Sequence, residues 1–161
     1  MSGRSLGGVG AMMLAAACSG CGESKPSDPP PRVTIHGRTW RVELATTANA
    51  RYKGLSDRKK LSPDAGMLFV YPSPQVMEFC MRQCLVPLDI AFLGADRRVL
   101  KTYTMPVEPY GFEKEAYSSE LPAQYALEVA AGELAKAGVK PGDMAEFSAD
   151  MPPAAKAEPG P

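Results

Sequence analysis

The chain has little of what several common enzyme classes need. It contains one histidine in 161 residues. It also has no glycine-rich phosphate loop, no Gly-x-Ser-x-Gly turn and no His-Glu-x-x-His motif. With His36 as the single histidine, a metal site built from several histidines is excluded, and a Ser-His-Asp triad would depend on this one turn residue.

A charge imbalance is also missing. Eighteen basic and 18 acidic side chains give a formal net charge of zero, and no block of like charge occurs. Because nucleic acids and anionic membrane surfaces attract clustered positive charge, the composition argues against both partners.

The N-terminus resembles an export signal. Arg4 precedes an uncharged run at 6–17, LGGVGAMMLAAA. A bilayer-spanning helix needs about 20 apolar residues, so the run is too short to span. We therefore interpret 1–17 as a signal peptide; the alternative is an Ala/Gly-rich start that is never cleaved.

A cysteine follows the signal directly. Leu14 and the alanines before Cys18 resemble the lipobox of bacterial lipoproteins, in which the cysteine becomes acylated. Cys21 is the alternative attachment site, and a plain cut after Ala17 is a third reading. The Pro-rich segment 18–31 then predicts a tether, and 148–161 predicts a disordered tail. We expect a membrane-anchored lipoprotein of the cell envelope or periplasm.

Residues 32–147 predict one mainly β (α+β) domain, a compact antiparallel sandwich or barrel with one or two short helices. Two hairpins are indicated, around His36-Gly37 and around 94–97. Thr47 predicts the cap of a helix that ends near Gly54, and a second helix is expected at 132–137. The remaining predicted strands lie at 67–71, 76–81, 125–130 and 144–147, with a turn at Pro72-Ser73-Pro74.

The run GMLFVYPSPQVMEFCMRQCLVPLDIAF at 66–92 resembles the signature of the domain of unknown function 192 family. The positions that match the family are Gly54, Leu55, Arg58, Met67, Phe69, Pro87, Leu88, Asp89, Glu128, Gly132, Gly142 and Asp143. Cys80 stands where the family has Trp, and Cys84 where a small polar residue is usual. The resemblance implies a small β-rich domain, often exported, with no established activity.

Cys80 and Cys84 allow three interpretations: a disulfide, two ordinary thiols, or a redox or metal site. Cα atoms four apart on an extended strand lie about 13 Å apart, whereas a disulfide needs less than about 7 Å. Pairing therefore requires a turn at Arg82-Gln83. With Met77, Met81 or Met105 as a further ligand, the two thiols would suit Cu(I), which prefers sulfur ligands.

Two acidic residues lie in or beside apolar runs. Asp89 is expected to cap a turn or to form a salt bridge, with Arg82 and Arg58 as candidate partners. Glu128 is expected on the solvent face of its strand or paired with a basic side chain. For both residues we favour a structural role over catalysis.

Two functional classes follow. The first is a membrane-tethered, exported, non-catalytic binding or accessory module without a cofactor. The alternative is a thiol redox or Cu(I)-handling protein that uses Cys80 and Cys84. The ligand and the oligomeric state are not defined by the sequence.

The first prediction concerns acylation. Full-length protein should fractionate with membranes and carry lipid, because three acyl chains give stable attachment where one binds only marginally. A Cys18→Ala form should lose the lipid and become soluble. If that form keeps its acylation, Cys21 is the attachment site; if both forms are soluble and unacylated, the anchor hypothesis is wrong.

Overall fold

The computed structural model describes residues 29–109 and 116–148. The predicted signal peptide, Cys18, Cys21, most of the predicted tether and nearly all of the predicted tail lie outside these residues. Within the described ranges, no helix is long and apolar enough to cross a membrane.

The described residues form a mainly β fold with two short helices, as predicted. The helices are α1 (Ala48–Lys53) and α2 (Glu133–Lys136). The strands are β1 (Arg32–Ile35), β2 (Arg38–Ala45), β3 (Ala65–Gln75), β4 (Glu78–Phe79), β5 (Leu88–Leu93), β6 (Val99–Met105), β7 (Tyr117–Ser118), β8 (Ala123–Ala130) and β9 (Glu146–Phe147).

Seven strands build one sheet in the order β6-β5-β8-β3-β2-β1-β9, and β4 pairs with β7 in a small second sheet. Every pair is antiparallel except β2 and β3, which are joined through α1 and run parallel. The sheet curls into an incomplete barrel, because Val99 at the start of β6 bonds to Gly142 and Asp143, close before β9.

Both predicted hairpins are present as β1–β2 and β5–β6. The predicted cap of α1 is also confirmed, because the Thr47 hydroxyl accepts a hydrogen bond from the backbone N–H of Ala50. Gly54 ends this helix at φ 50°, a left-handed angle that favours glycine. Gly132 begins α2 in the same region of φ, at 85°.

The predicted turn at Pro72-Ser73-Pro74 is wrong. These residues continue β3, and the pairing with β8 shifts register between Val70 and Gln75. Proline lacks the N–H that a ladder needs, so a strand tolerates it where pairing is interrupted. The strand expected at 76–81 shrinks to β4, since a turn at Arg82-Gln83 begins close after it.

Alternation along the central strands divides the core into two clusters on opposite faces of the sheet. The α1-side cluster includes Met67, Phe69, Leu88, Ile90, Phe92 and Ala126. The α2-side cluster includes Trp40, Leu68, Val70, Leu93, Leu127 and Val129.

Asp89 belongs to the α2 side and is 1% exposed. Its carboxylate accepts hydrogen bonds from the Thr104 hydroxyl at 2.7 Å and from the backbone N–H of Leu134 at 3.0 Å. The structural role is as expected, but the expected arginine partners are wrong. Arg58 instead makes a two-pronged bond to Glu43, and Arg82 bonds to a backbone carbonyl.

The second prediction tests the closest approach of β3 to β8. A Cβ added at Gly66 would lie 2.4 Å from the backbone oxygen of Glu128. Gly66→Ala should therefore lower the free energy of unfolding by about 1–3 kcal/mol or more, because two paired strands must separate. Urea denaturation of the full-length chain measures this loss.

Gly94→Ala is the matched control. Its added Cβ would meet the Asp96 Oδ1 at 2.8 Å, but that oxygen ends an exposed side chain, and moving it breaks one exposed hydrogen bond from the Arg98 backbone N–H rather than a strand pairing. The control should lose much less stability. An equal loss in both variants would contradict the described β3–β8 packing.

Candidate ligand-binding site

A cavity of about 350 Å³ lies between α1, the α1 side of strands β3 and β8, and the segment that carries the two cysteines. The residues that line it are Ala48, Arg51, Tyr52, Lys53, Gly54, Leu55, Ser56, Phe69, Tyr71, Glu78, Phe79, Cys80, Arg82, Cys84 and Glu128. Its walls thus combine aromatic rings, three cationic side chains and one interior carboxyl.

Glu128 is the interior carboxyl of the cavity. It lies opposite Met67 on β3 and Ile90 on β5, on the apolar α1 side of the sheet. The residue is 5% exposed, and no other described side chain makes a hydrogen bond or ion pair with it. Burial raises the pKa of Glu128 from 4.5 to about 8.

The expectation for Glu128 is therefore wrong in both of its forms. The side chain is not on the solvent face, and no basic side chain in 29–109 or 116–148 pairs with it. Strand alternation places residue 128 on the same face as Ala126, and its two cross-strand neighbours there, Met67 and Ile90, are apolar. A buried carboxyl without a partner is energetically unfavourable, so its placement beside a cavity is informative.

Arg51 joins α1 to β3 at the cavity wall. Its Nη1 donates hydrogen bonds to the carbonyl oxygens of Thr46 at 2.7 Å and Val70 at 3.0 Å. The guanidinium carbon also lies 4.6 Å from the centre of the Tyr71 ring. These contacts fix the cation in place before any ligand arrives.

Arg82 is held in a similar way on the cysteine turn. Its Nη2 donates to the Tyr52 carbonyl at 2.7 Å, and the guanidinium carbon is 3.8 Å from the centre of the Tyr52 ring. The Ser56 hydroxyl donates to the Arg82 carbonyl at 3.0 Å. The turn is thereby attached to α1 and to the segment that follows it.

The turn required for the cysteine pair is present at Arg82-Gln83. The backbone N–H of Cys84 donates to the Met81 carbonyl, and Gln83 adopts φ 55°. Cys80 is exposed and Cys84 is buried, and both are free thiols, so the disulfide, the first of the three interpretations, is not formed in this structure. Its formation in protein isolated from the envelope stays a prediction.

The two thiols differ in chemistry. Burial, with smaller contributions from Glu128 and Cys80, raises the pKa of Cys84 to about 12. Cys84 therefore stays a neutral thiol near pH 7, which weakens it as a nucleophile and as a metal ligand. Met81 is fully buried in the α1-side cluster and does not line the cavity.

The described residues contain no group of three or more His, Cys, Asp or Glu side chains placed to hold a metal ion. His36 instead packs against the loop after α2, with Nε2 at 3.1 Å from Asp143 and Nδ1 at 3.3 Å from the Ala137 carbonyl. The nitrogen atoms of the one histidine thus contact structural groups.

The structure divides the family-motif positions into two groups. Gly54, Leu55, Phe69 and Glu128 line the cavity with the two cysteines. The others serve packing or turns elsewhere; Arg58, Met67, Pro87, Leu88, Asp89, Gly132, Gly142 and Asp143 belong to this group. Sequence reasoning missed the roles of Arg51, Ser56 and Tyr71, which nothing in local spacing distinguishes from ordinary surface residues.

Comparison with known proteins identifies the class. The profile of the domain of unknown function 192 family, described as Uncharacterized ACR, matches residues 31–147. The chain belongs to this family, and the resemblance inferred from its motifs is confirmed. No curated protein matches the chain significantly.

Two solved structures share the fold. One is a protein of unknown function from Novosphingobium aromaticivorans DSM 12444, 37% identical, with a TM-score of 0.65 over 73% of this chain and 83% of that one. The other, from Sinorhizobium meliloti 1021, was described as a candidate transcription regulator. It is 31% identical, with a TM-score of 0.64 over 73% of this chain and 92% of that one.

The third prediction follows from the raised pKa of Glu128. A carboxyl whose folded pKa exceeds its unfolded pKa stabilises the fold at low pH, and that stability is lost as pH rises. The loss should run from about pH 4.5 to about pH 8, the two pKa values, at up to about 1.4 kcal/mol per pH unit.

Glu128→Gln removes the titration and keeps the shape of the side chain. The difference in unfolding free energy between the variant and the parent should therefore grow in favour of the variant between pH 5 and pH 8. Urea titrations across this range measure it. A difference independent of pH would show that Glu128 does not titrate abnormally.

Proposed function

We propose that the chain is a non-catalytic binding module, exported and held at the membrane of the cell envelope by an acylated cysteine. The observation that carries the binding role is the cavity beside Glu128, a residue that is 5% exposed and whose carboxyl meets no partner among the described side chains. A protein group left unsatisfied beside an accessible cavity is what a bound molecule would satisfy.

Several features support binding over catalysis. The two arginines of the cavity are engaged by backbone carbonyls and tyrosine rings, so they are held as fixed recognition groups. The buried thiol of the cavity, Cys84, has a pKa raised to about 12, so it is a poor nucleophile. Envelope location and the lipid anchor rest on the sequence alone, through 1–17 and Cys18.

The test uses a variant that closes the cavity. Cys80 is exposed at its edge, so Cys80→Trp should place a large ring over the opening. We expect members of a library of small polar metabolites to raise the melting temperature of detergent-solubilised full-length protein, and we expect this rise to disappear in Cys80→Trp.

Val76→Trp is the matched control, because Val76 is 55% exposed and does not line the cavity. It should keep the response of the parent chain. Equal responses in Cys80→Trp and the parent would place binding elsewhere, and no response in the parent at millimolar concentrations would contradict the binding role.

The alternative, a thiol redox or Cu(I)-handling protein, is favoured by one observation: both cysteines line the same cavity as free thiols. The high pKa of Cys84 argues against it, since copper and disulfide chemistry both use thiolates. Free-thiol counts and the metal content of protein purified from the envelope distinguish the two. Stoichiometric Cu(I) binding that is lost in Cys80→Ser would favour the alternative.

A further inference from the structure

We propose that the cavity takes a small amphoteric molecule, with an ammonium group against the Glu128 carboxyl and an anionic group against Arg51 and Arg82. This inference rests on the proposed binding role and adds the chemical class of the ligand. It follows from how charge, polarity and apolar surface are distributed along the cavity wall.

The carboxyl determines one end of the ligand. Glu128 projects from the centre of the sheet among Met67 and Ile90, and no described side chain supplies a cation to it. A ligand that brings a positive charge would provide the missing partner in a site shielded from water, where a charge-assisted hydrogen bond is strong. Ionising the carboxyl near pH 7 would cost about tenfold in affinity, since its pKa is about 8.

The arginines determine the other end. Arg51 and Arg82 come from different segments of the chain, yet both residues line the same cavity. Guanidinium groups match the planar geometry of carboxylates, and groups already held by a tyrosine ring lose little freedom when they bind. Lys53 adds a third positive charge, while Glu78 is the other acidic side chain of the wall.

An apolar surface lies among the same lining residues. Leu55, Phe69 and Phe79 belong to the wall, and the two phenylalanine rings meet edge to face with centroids 4.8 Å apart. Such a surface suits a short apolar or aromatic body between the two charged ends. At about 350 Å³ the cavity is near the lower end of the range for small-molecule sites, so the ligand is small.

The dependence on pH separates an ammonium from a hydrogen-bond acceptor. An ammonium needs ionised Glu128, so its affinity rises with pH up to about 8; an acceptor needs the protonated form, so its affinity falls. Of the neighbours, burial raises the pKa values of Tyr71 and Cys84, which keeps both neutral over this range. The other titratable or charged groups around the cavity are Arg51, Tyr52 and Lys53 on α1 and Glu78, Cys80 and Arg82 on the cysteine segment.

Three matched probes test the class. They are 4-(aminomethyl)benzoate, which carries both charges, 4-methylbenzoate, which carries the anion, and 4-methylbenzylamine, which carries the cation. Calorimetric titration of the full-length chain in detergent should give at least about tenfold tighter binding for the first than for either of the others. Between pH 6 and pH 7 its affinity should rise by up to about tenfold, while that of 4-methylbenzoate should not rise.

Two variants test which cavity residue contacts each charged end of the ligand. Glu128→Gln should abolish the advantage of the amphoteric probe over 4-methylbenzoate, together with its rise with pH. Arg82→Gln should weaken both carboxylate probes by tenfold or more and leave 4-methylbenzylamine unchanged. Arg97→Gln, on an exposed arginine outside the cavity, is the control and should change none of them.

Equal affinities of the amphoteric probe and 4-methylbenzoate would overturn the inference, as would an affinity that falls with pH. The pH series needs only the parent chain, so it decides the matter even if a variant fails to fold. If none of the three probes binds, the amphoteric class is overturned, whereas the binding role is decided separately by the response lost in Cys80→Trp.

Discussion

The position of β8 between β3 and β5 is the constraint on which the candidate site depends. Side chains alternate along a strand, so residues 127 and 129 face the α2-side cluster while residues 126 and 128 face the α1 side. Both neighbours of Glu128 across the sheet are apolar. The side chain is 5% exposed, no described side chain pairs with it, and burial raises its pKa.

Two short segments, α1 and the turn at Arg82-Gln83, supply the two arginines of the candidate site around this carboxyl. The α1 crossover runs from β2 to the parallel strand β3 and carries Arg51 over the sheet. The turn at Arg82-Gln83 brings in a second arginine and both cysteines, and the backbone N–H of Asp57 donates to the Gln83 carbonyl to attach it. One pair of loops thus encloses the cavity, while the opposite face of the sheet is covered by α2.

Much of the fold could be predicted from the sequence because its signals are local. Alternating apolar residues predicted both hairpins. Thr47 predicted the cap of α1, and Gly132 predicted the start of α2. The prediction of a turn at Pro72-Ser73-Pro74 was wrong, because proline is found both in turns and in strands whose pairing is interrupted. Only the position of the partner strand distinguishes these two cases. The parallel pairing of β2 with β3 likewise depends on residues far apart in sequence.

The candidate site was predictable only in part, for the same reason. The cysteine pair and its turn are a local pattern and were found. Glu128 was assigned a solvent-facing or paired role, since its isolation depends on which strands flank β8. Asp89, similar in its apolar surroundings, proved to be satisfied by Thr104 and the first turn of α2. Two buried carboxyls that look alike in sequence are thus separated by their neighbours in space.

The most direct test of this account is the titration of Glu128 itself, followed through its side-chain carboxyl carbon by NMR in specifically labelled protein. The account predicts a midpoint near pH 8 in the free protein. A midpoint near the ordinary value of 4.5 would show that the carboxyl is solvated or paired, and would contradict its assignment as the buried, unpaired group of the ligand-binding cavity.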